Sequence, residues 1–137
     1  MLADTQITTW AKIFRQTLQC RISNVRAIAT GIYLRSLSRR EAIAHMATTV
    51  VEHLTGTGRY REALFVSEVV LRHSPRDVHA MAKLGHACAM LIETEFTTKY
   101  PAPSLIPLPL RGQYLALCAR NRAAFEASEA LGWEAPQ

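Results

Sequence analysis

The chain has 137 residues, of which 49% are hydrophobic and 20% are charged. This composition is typical of a globular domain and excludes intrinsic disorder over most of the length. It predicts one domain, residues 1–137, that buries a core without disulfides or metal ions. No apolar run reaches the roughly 20 residues of a membrane span, and the first residues lack the pattern of a signal peptide.

The net charge of +5 is distributed unevenly along the chain. Residues 1–40 contain seven basic side chains against the single carboxylate of Asp4, a net charge of +6, whereas residues 41–137 sum to −1. A basic region of this kind suits nucleic acid, an acidic protein or solvent alone.

The cysteines are Cys20, Cys88 and Cys118, an odd number without the paired spacing of a metal site. Each lies among apolar residues, which indicates buried thiols. Reduced, buried cysteines are typical of cytoplasmic proteins, so we expect a cytoplasmic protein without structural disulfides.

Helical periodicity runs through the sequence, and no segment alternates in the manner of a β-strand. The sequence therefore predicts an all-α fold of about six helices in antiparallel pairs. In chain order the predicted helices cover residues 5–19, 24–37, about 39–54, about 60–73, about 75–96 and 109–131. The third is expected to bury an apolar face formed by Ile43, Met46, Ala47, Val50 and Leu54.

Several helix boundaries carry a local signal. Ser38 and Glu41 have the spacing of a capping box, in which the hydroxyl accepts a backbone N–H and the carboxylate reaches back. Ser74 is the expected cap of the fifth helix, with Pro75 at the first helical position, where a missing N–H is harmless. Gly132 is expected to end the sixth helix.

A proline-rich connector, residues 100–109, separates the last two predicted helices. It contains four of the six prolines, Pro101, Pro103, Pro107 and Pro109. Such spacing excludes both a helix interior and a central strand. The apolar residues of this stretch are Leu105, Ile106, Leu108 and Leu110. Because they are too apolar for a mobile linker, we expect an ordered, extended crossover that buries all four.

The stretch "GRYREALFVSEVVLRHSP" has the marks of one half of a helical repeat. Gly58 ends one helix and Tyr60 begins the next, while Ala63 puts a small residue where the two helices meet. Pro75 breaks the chain twelve residues after Ala63. This pattern resembles the tetratricopeptide repeat, a 34-residue helix–turn–helix with a Gly-Tyr turn, a small-residue contact and a closing proline.

The resemblance extends over residues 44–91. Leu84–Gly85 stands thirty-four residues after Val50–Val51 and matches the Leu-Gly pair of that family's first helix. The small Gly85 is expected to let a neighbouring helix come close. The arrangement is also similar to the degenerate repeats appended to bacterial transglutaminase-like proteins, although no cysteine-protease-like core is present.

The tetratricopeptide resemblance implies a short stack of helix pairs that binds a peptide or helix of another protein. In its register the first helix of each pair lines the concave groove. The groove residues that follow from this register are His45, Thr48, Glu52, His79, Lys83 and His86. A short solenoid also leaves an apolar end face, so a homodimer is a further expectation.

Nothing in the sequence matches a known catalytic motif: there is no nucleophile elbow, P-loop or HExxH pattern. Two metal sites can be drawn, one from His45, Glu52 and His53 and one from His79 and His86. Neither has the i, i+4 histidine pair or a CxxC partner of a persuasive site. We therefore expect a protein that is not an enzyme and binds neither metal nor cofactor.

Nucleic-acid binding is the alternative. The segment "RAIATGIYLRSLSRREAI" imitates a helix-turn-helix, in which Arg35, Arg39 and Arg40 would contact phosphates or bases. Against this, Arg40 occupies a position that needs a buried apolar residue, and Thr30 is polar where the first helix should pack. The sequence therefore favours a protein partner over DNA or RNA.

Overall fold

The computed structural model describes residues 25–32 and 35–134. The chain divides after Arg35 into two compact units, Met1–Arg35 and Ser36–Gln137. The helix predicted at residues 5–19 lies outside the described part of the chain. The sequence pattern had suggested no such division of residues 1–137.

The described part of the first unit contains one short helix, α1, Val25–Ala29. The helix predicted over residues 24–37 is therefore too long. Thr30 and Gly31 form a turn after α1, because Gly31 adopts a φ of 75°, which side chains with a Cβ rarely tolerate. Residues 35–38 are not helical.

The second unit is helical, and no strand occurs within the described residues, which confirms the all-α prediction. Its helices are α2 (Arg39–Met46), α3 (Thr48–Gly56), α4 (Tyr60–His73), α5 (Val78–Ile92) and α6 (Leu108–Ala130). A π-helical turn, Glu93–Thr97, extends α5, and a 3₁₀ turn, Pro103–Leu105, precedes α6.

The third predicted helix is two helices, α2 and α3, that meet at Ala47. The break coincides with two hydroxyl groups that bond back to the preceding turn. Thr48 Oγ1 donates to the carbonyl of His45 at 2.6 Å, and Thr49 Oγ1 donates to that of Met46 at 2.8 Å. Threonine hydroxyls that bond in this way disturb the helical hydrogen bonds, which accounts for the interruption at Ala47.

The cap of α2 is the one that the sequence predicts, whereas the cap of α5 is a different residue. The capping box of Ser38 and Glu41 is present: the Glu41 N–H donates to Ser38 Oγ at 3.2 Å, and the Ser38 N–H donates to Glu41 Oε2 at 2.9 Å. The Ser74 prediction is wrong. Asp77 caps α5 instead, and its Oδ1 accepts the Ala80 N–H at 3.0 Å.

Consecutive helices pack against each other from α3 to α6, and α2 packs against α4. The Gly58 turn that joins α3 to α4 has a φ of 75°, as a glycine permits. Ala63 is fully buried in a cluster with Val51, Leu54 and Ala87, which confirms the expected small-residue contact between α3 and α4. The tetratricopeptide register of this stack stays a prediction.

The buried face of α2 and α3 differs from the expected one. Ile43, Met46 and Val50 are exposed, whereas Ala44 and Val51 are buried. Leu54 is buried as predicted, and Ala44 packs in a cluster with residues of α4 and α5. Helical periodicity had placed three apolar residues in the core that the folded chain leaves at the surface.

The proline-rich connector is ordered but buries less than expected. Ile106 is 2% exposed, whereas Leu105, Leu108 and Leu110 remain exposed. The Arg111 side chain fixes the connector by donating to the carbonyls of Ile106 at 2.9 Å and Ser104 at 2.8 Å. A single apolar anchor and two hydrogen bonds hold this segment in place of the predicted four-residue apolar face.

Gly85 is a close-contact position, as the sequence predicts. A Cβ atom added to Gly85 would lie 2.6 Å from Cε2 of Phe125, so the α6 ring occupies the space of the missing side chain. Asn121 of α6 donates from Nδ2 to the carbonyl of Gly85 at 2.7 Å. We call these three residues the α5–α6 seam.

Two of the three cysteines lie in the described chain, and both are free thiols. Cys88 is fully buried, and burial, assisted by the nearby Cys118, raises the pKa of its thiol to about 11. Cys118 is only half-buried, and Cys20 falls outside the described residues. Cys88 thus behaves as a small apolar core residue.

Candidate functional site: a polar face and an apolar groove

Five side chains from α2, α3 and the start of α5 form what we call the polar face: His45, Glu52, Asp77, His79 and Lys83. Glu52 Oε1 is its centre, 3.2 Å from His79 Nε2 and 3.1 Å from Lys83 Nζ. These three residues are all in the set that the repeat register predicts. The fold therefore brings predicted groove residues of two different helices together.

The other half of the polar face joins α2 to the cap of α5. His45 Nδ1 lies 2.8 Å from Asp77 Oδ2, and the ring of His45 is 6.1 Å from that of His79. The carboxylate of Asp77 is nearly buried, whereas the ring of His45 is half-exposed. Sequence reasoning missed Asp77, although an aspartate three residues before Ala80 has the spacing of a helix cap.

Two predicted groove residues do not join this network. Thr48 is buried, and its hydroxyl is used within the helix on the carbonyl of His45. His86 is exposed on α5, beyond Lys83. The predicted six-residue surface is therefore a four-residue cluster of His45, Glu52, His79 and Lys83, with Asp77 added.

The electrostatics of the polar face are balanced internally. Hydrogen bonds from Lys83 and then from His79 lower the pKa of the Glu52 carboxyl, which therefore stays ionised. Each carboxylate of the cluster already has a basic partner. A ligand would have to displace these partners, so this face offers little uncompensated charge.

The histidines and carboxylates of the polar face pair with one another. Within the described part of the chain, no group of three or more histidine, cysteine, aspartate or glutamate side chains is placed to hold a metal ion. The alternative sets proposed from His53 or His86 therefore lack the coordination shell that a metal requires.

The predicted nucleic-acid arginines are divided between the two units: Arg35 ends the first, and Arg39 and Arg40 begin α2 of the second. Residues 30–38 separate α1 from α2, which is longer than the three- or four-residue turn of a helix-turn-helix. Arg40 contacts His73 of α4: its Nε and Nη2 lie 3.0 and 2.7 Å from His73 Nδ1.

An apolar groove opens between α2 and α4, and the sequence did not predict it. Its volume is about 300 Å³. Ile43, Ala44, Ala47, Val66, Val69 and Val70 line its length, and Arg40 and His73 lie at one end. A signal for it was present in the sequence, since Ile43 and Ala47 belong to the apolar face that helical periodicity assigned to the core.

A second cavity of about 310 Å³ lies at the Gly58 turn and the end of α5. Four charged side chains line it together with Tyr60 and Leu91, and the charges are paired within the chain: Arg61 Nε donates to Glu95 Oε1 at 2.9 Å, and Arg59 pairs with Glu62. It lacks the exposed apolar surface of the groove between α2 and α4.

No protein-family model matches this chain, and neither a curated protein nor a solved structure matches it. Among the helices of the described residues, none combines the length and the apolar character that crossing a membrane requires.

Proposed function

We propose that this protein is a non-enzymatic protein-interaction module that holds an apolar segment of another protein between α2 and α4. The observation that carries the proposal is the apolar groove, whose lining residue Ile43 is 63% exposed. A tetratricopeptide-like stack of the helices and a cytoplasmic location belong to the same proposal.

Exposed apolar surface is unfavourable in water, so covering it with a partner is favourable. Contiguous exposed apolar residues on a small domain mark interaction sites. Ile43 is such a residue in the groove, and Met46 of α2 and Val50 of α3 are also exposed. Complete burial of one such side chain contributes roughly 1.5–3 kcal/mol. If a partner covers two or three such side chains, their burial supplies a large part of the binding free energy of a micromolar complex, which is about 8 kcal/mol.

The shape of the groove suits a helix or an extended peptide. The wall at its base consists of small side chains, Ala44 and Ala47, which leave room between α2 and α4. A partner that inserts large apolar side chains there reproduces the helix-in-groove mode of recognition. The polar face is the weaker candidate, because its side chains already bond to one another.

The test selects peptides from a random display library on the intact protein and measures their affinity by calorimetry. Ile43→Asp should weaken binding of the selected peptides by about tenfold or more, because it places a charge in an apolar contact. Leu115→Asp is the matched control, since Leu115 is 62% exposed on α6 and lies outside the groove.

Two results would contradict the proposal. One is a selection that yields no peptide with measurable affinity. The other is a set of peptides that bind Ile43→Asp as tightly as the parent, which would place the binding surface elsewhere on the molecule.

A further inference from the structure

We infer that the segment held in the apolar groove carries carboxylates at the end that meets Arg40 and His73. The inference rests on the proposed function, because it describes the occupant of the same groove. It defines the partner as an apolar peptide or helix with an acidic end.

The first step concerns the state of Arg40. Its Nε and Nη2 lie 3.0 and 2.7 Å from His73 Nδ1, and an imidazole ring, unlike a carboxylate, carries no negative charge. His73 therefore orients the guanidinium without cancelling its charge. A guanidinium held in a fixed orientation at the end of the apolar groove is suited to bind a carboxylate.

The second step concerns the neighbouring cations. Arg40 lines the groove, and it is one of four arginines close in sequence to Arg40 or His73 that form no ion pair with any residue that the structure describes. They are Arg39, Arg40, Arg72 and Arg76. Arg72 and Arg76 flank His73 in the sequence, and Arg39 precedes Arg40 at the start of α2.

Other arginines of the second unit provide a contrast. Arg59 pairs with Glu62, Arg61 with Glu95 and Arg120 with Glu68. Arg111 instead binds backbone carbonyls, and Arg122 has no ion pair with the described residues. At the end of the apolar groove, Arg40 has no carboxylate partner among the described residues, which leaves its positive charge for a partner to neutralise.

The third step concerns the carboxylates nearest to this end in the sequence. Glu41 Oε2 accepts the Ser38 N–H in the capping box. Asp77 accepts the Ala80 N–H with one oxygen and faces His45 with the other. Neither acid pairs with Arg40, so within the described part of the chain the two carboxylates nearest in sequence leave this guanidinium available to an acidic group of a partner.

The experiment uses the selected peptides and versions of them in which every Asp and Glu is replaced by Asn or Gln and the C-terminus is amidated. The acidic peptides should bind about 2- to 5-fold more tightly for each exposed contact with an arginine. Raising the salt concentration should reduce that advantage, because exposed charges are screened. Arg40→Gln should remove part of it.

The control variant is Arg122→Gln. Arg122 is exposed on α6 and, like Arg40, forms no ion pair with the residues that the structure describes, but it lies outside the groove. It should leave the preference for acidic peptides unchanged. The variant Arg40→Lys keeps the charge without the bidentate geometry and should retain an intermediate preference.

The outcomes separate the two claims. Peptides that bind, lose affinity with Ile43→Asp and yet show no preference for acids overturn the inference and leave the proposed function standing. If no peptide binds in any form, both fail. A mixed-sequence DNA duplex that competes with the peptides and depends on Arg40 would also overturn the inference. So would a dimer of this chain that Ile43→Asp converts to monomer.

Discussion

The α5–α6 seam and the apolar groove between α2 and α4 are both places where small residues face another helix. At the seam, the ring of Phe125 occupies the space that a side chain at residue 85 would need: a Cβ added to Gly85 would lie 2.6 Å from Phe125 Cε2. At the groove, Ala44 and Ala47 face valines of α4, and about 300 Å³ stays open. One contact is closed and the other is not.

The difference shows that a small residue permits a close approach but does not create one. A large side chain from the opposite helix has to fill the space, and Phe125 does so at the seam. Protein interiors are packed as densely as organic crystals. The open space between α2 and α4 is therefore packed less well than the helix contacts of the core. This open space is the part of the molecule that the proposed partner would fill.

The largest expected effect is at the seam. Gly85→Leu should lower the free energy of unfolding by about 1–3 kcal/mol, because the new side chain and the Phe125 ring cannot occupy the same space. The measurement is urea unfolding, with the slope compared between variants to verify that only stability has changed.

Gly112→Leu is the matched control for this change. Gly112 is also in a helix, but nothing lies within 4 Å of a Cβ added there. Leucine has a higher helix propensity than glycine by up to about 1 kcal/mol, so this variant should be slightly more stable than the parent. A Gly85→Leu protein as stable as Gly112→Leu would remove both the close contact and the repeat interpretation of α5.

The groove should respond in the opposite way. Ala47→Leu fills space that is open, so the free energy of unfolding should change by no more than about 0.5 kcal/mol. The same substitution should weaken binding of groove-selected peptides by about tenfold, because it occupies their site. Urea unfolding measures the stability of the variant, and calorimetry measures its affinity for the peptides. A large loss of stability would mean that the groove is as tightly closed as the seam.

The polar face should respond more weakly than either apolar region. Lys83→Met should raise the pKa of Glu52 toward its ordinary value, because the largest cause of its lowering is the Lys83 hydrogen bond. A carboxyl whose pKa is lowered by folding stabilises the protein above its unfolded pKa, and that contribution is lost as the pH falls through the folded value. Nuclear magnetic resonance of the Glu52 carboxyl measures the shift, and Lys99→Met is the control.

A change of two residues asks whether the polar face takes part in partner binding. His79→Ala with Lys83→Ala should leave groove-selected peptides bound with an affinity within about twofold of the parent, since exposed ion pairs contribute little. The thermal midpoint should also change little. A pronounced loss of peptide affinity would transfer the site from the groove to the surface that the repeat register predicts.

The smallest effect is expected for nucleic acid. A mixed-sequence duplex at about 150 mM salt, near physiological ionic strength, should bind only weakly and without sequence preference. Arg35→Glu with Arg39→Glu and Arg40→Glu should reduce this weak association further. Tight, sequence-dependent binding that the triple change abolishes would favour the helix-turn-helix alternative instead. In that case the salt dependence of binding should also fall, by about one unit for each phosphate contact that is lost.

Local chemistry explains what the sequence alone determined. The capping box of Ser38 and Glu41 and the turn at Gly58 depend on bonds within a few residues, so their patterns were sufficient. The all-α class follows in the same way from helical periodicity. Gly85 was also predictable, because a glycine within an otherwise good helix indicates that backbone space is needed.

Tertiary packing decided the rest. A helix offers several faces, and Ile43, Met46 and Val50 were as apolar as the residues that the core finally used. Only the position of α4 and α5 determined that Ala44 and Val51 turn inward. The ion pairs of Glu52 and the contact of Arg40 with His73 join residues far apart in the chain, and no local pattern fixes such distances. The groove exists because two helices stand apart, which is a property of their arrangement and not of either sequence segment.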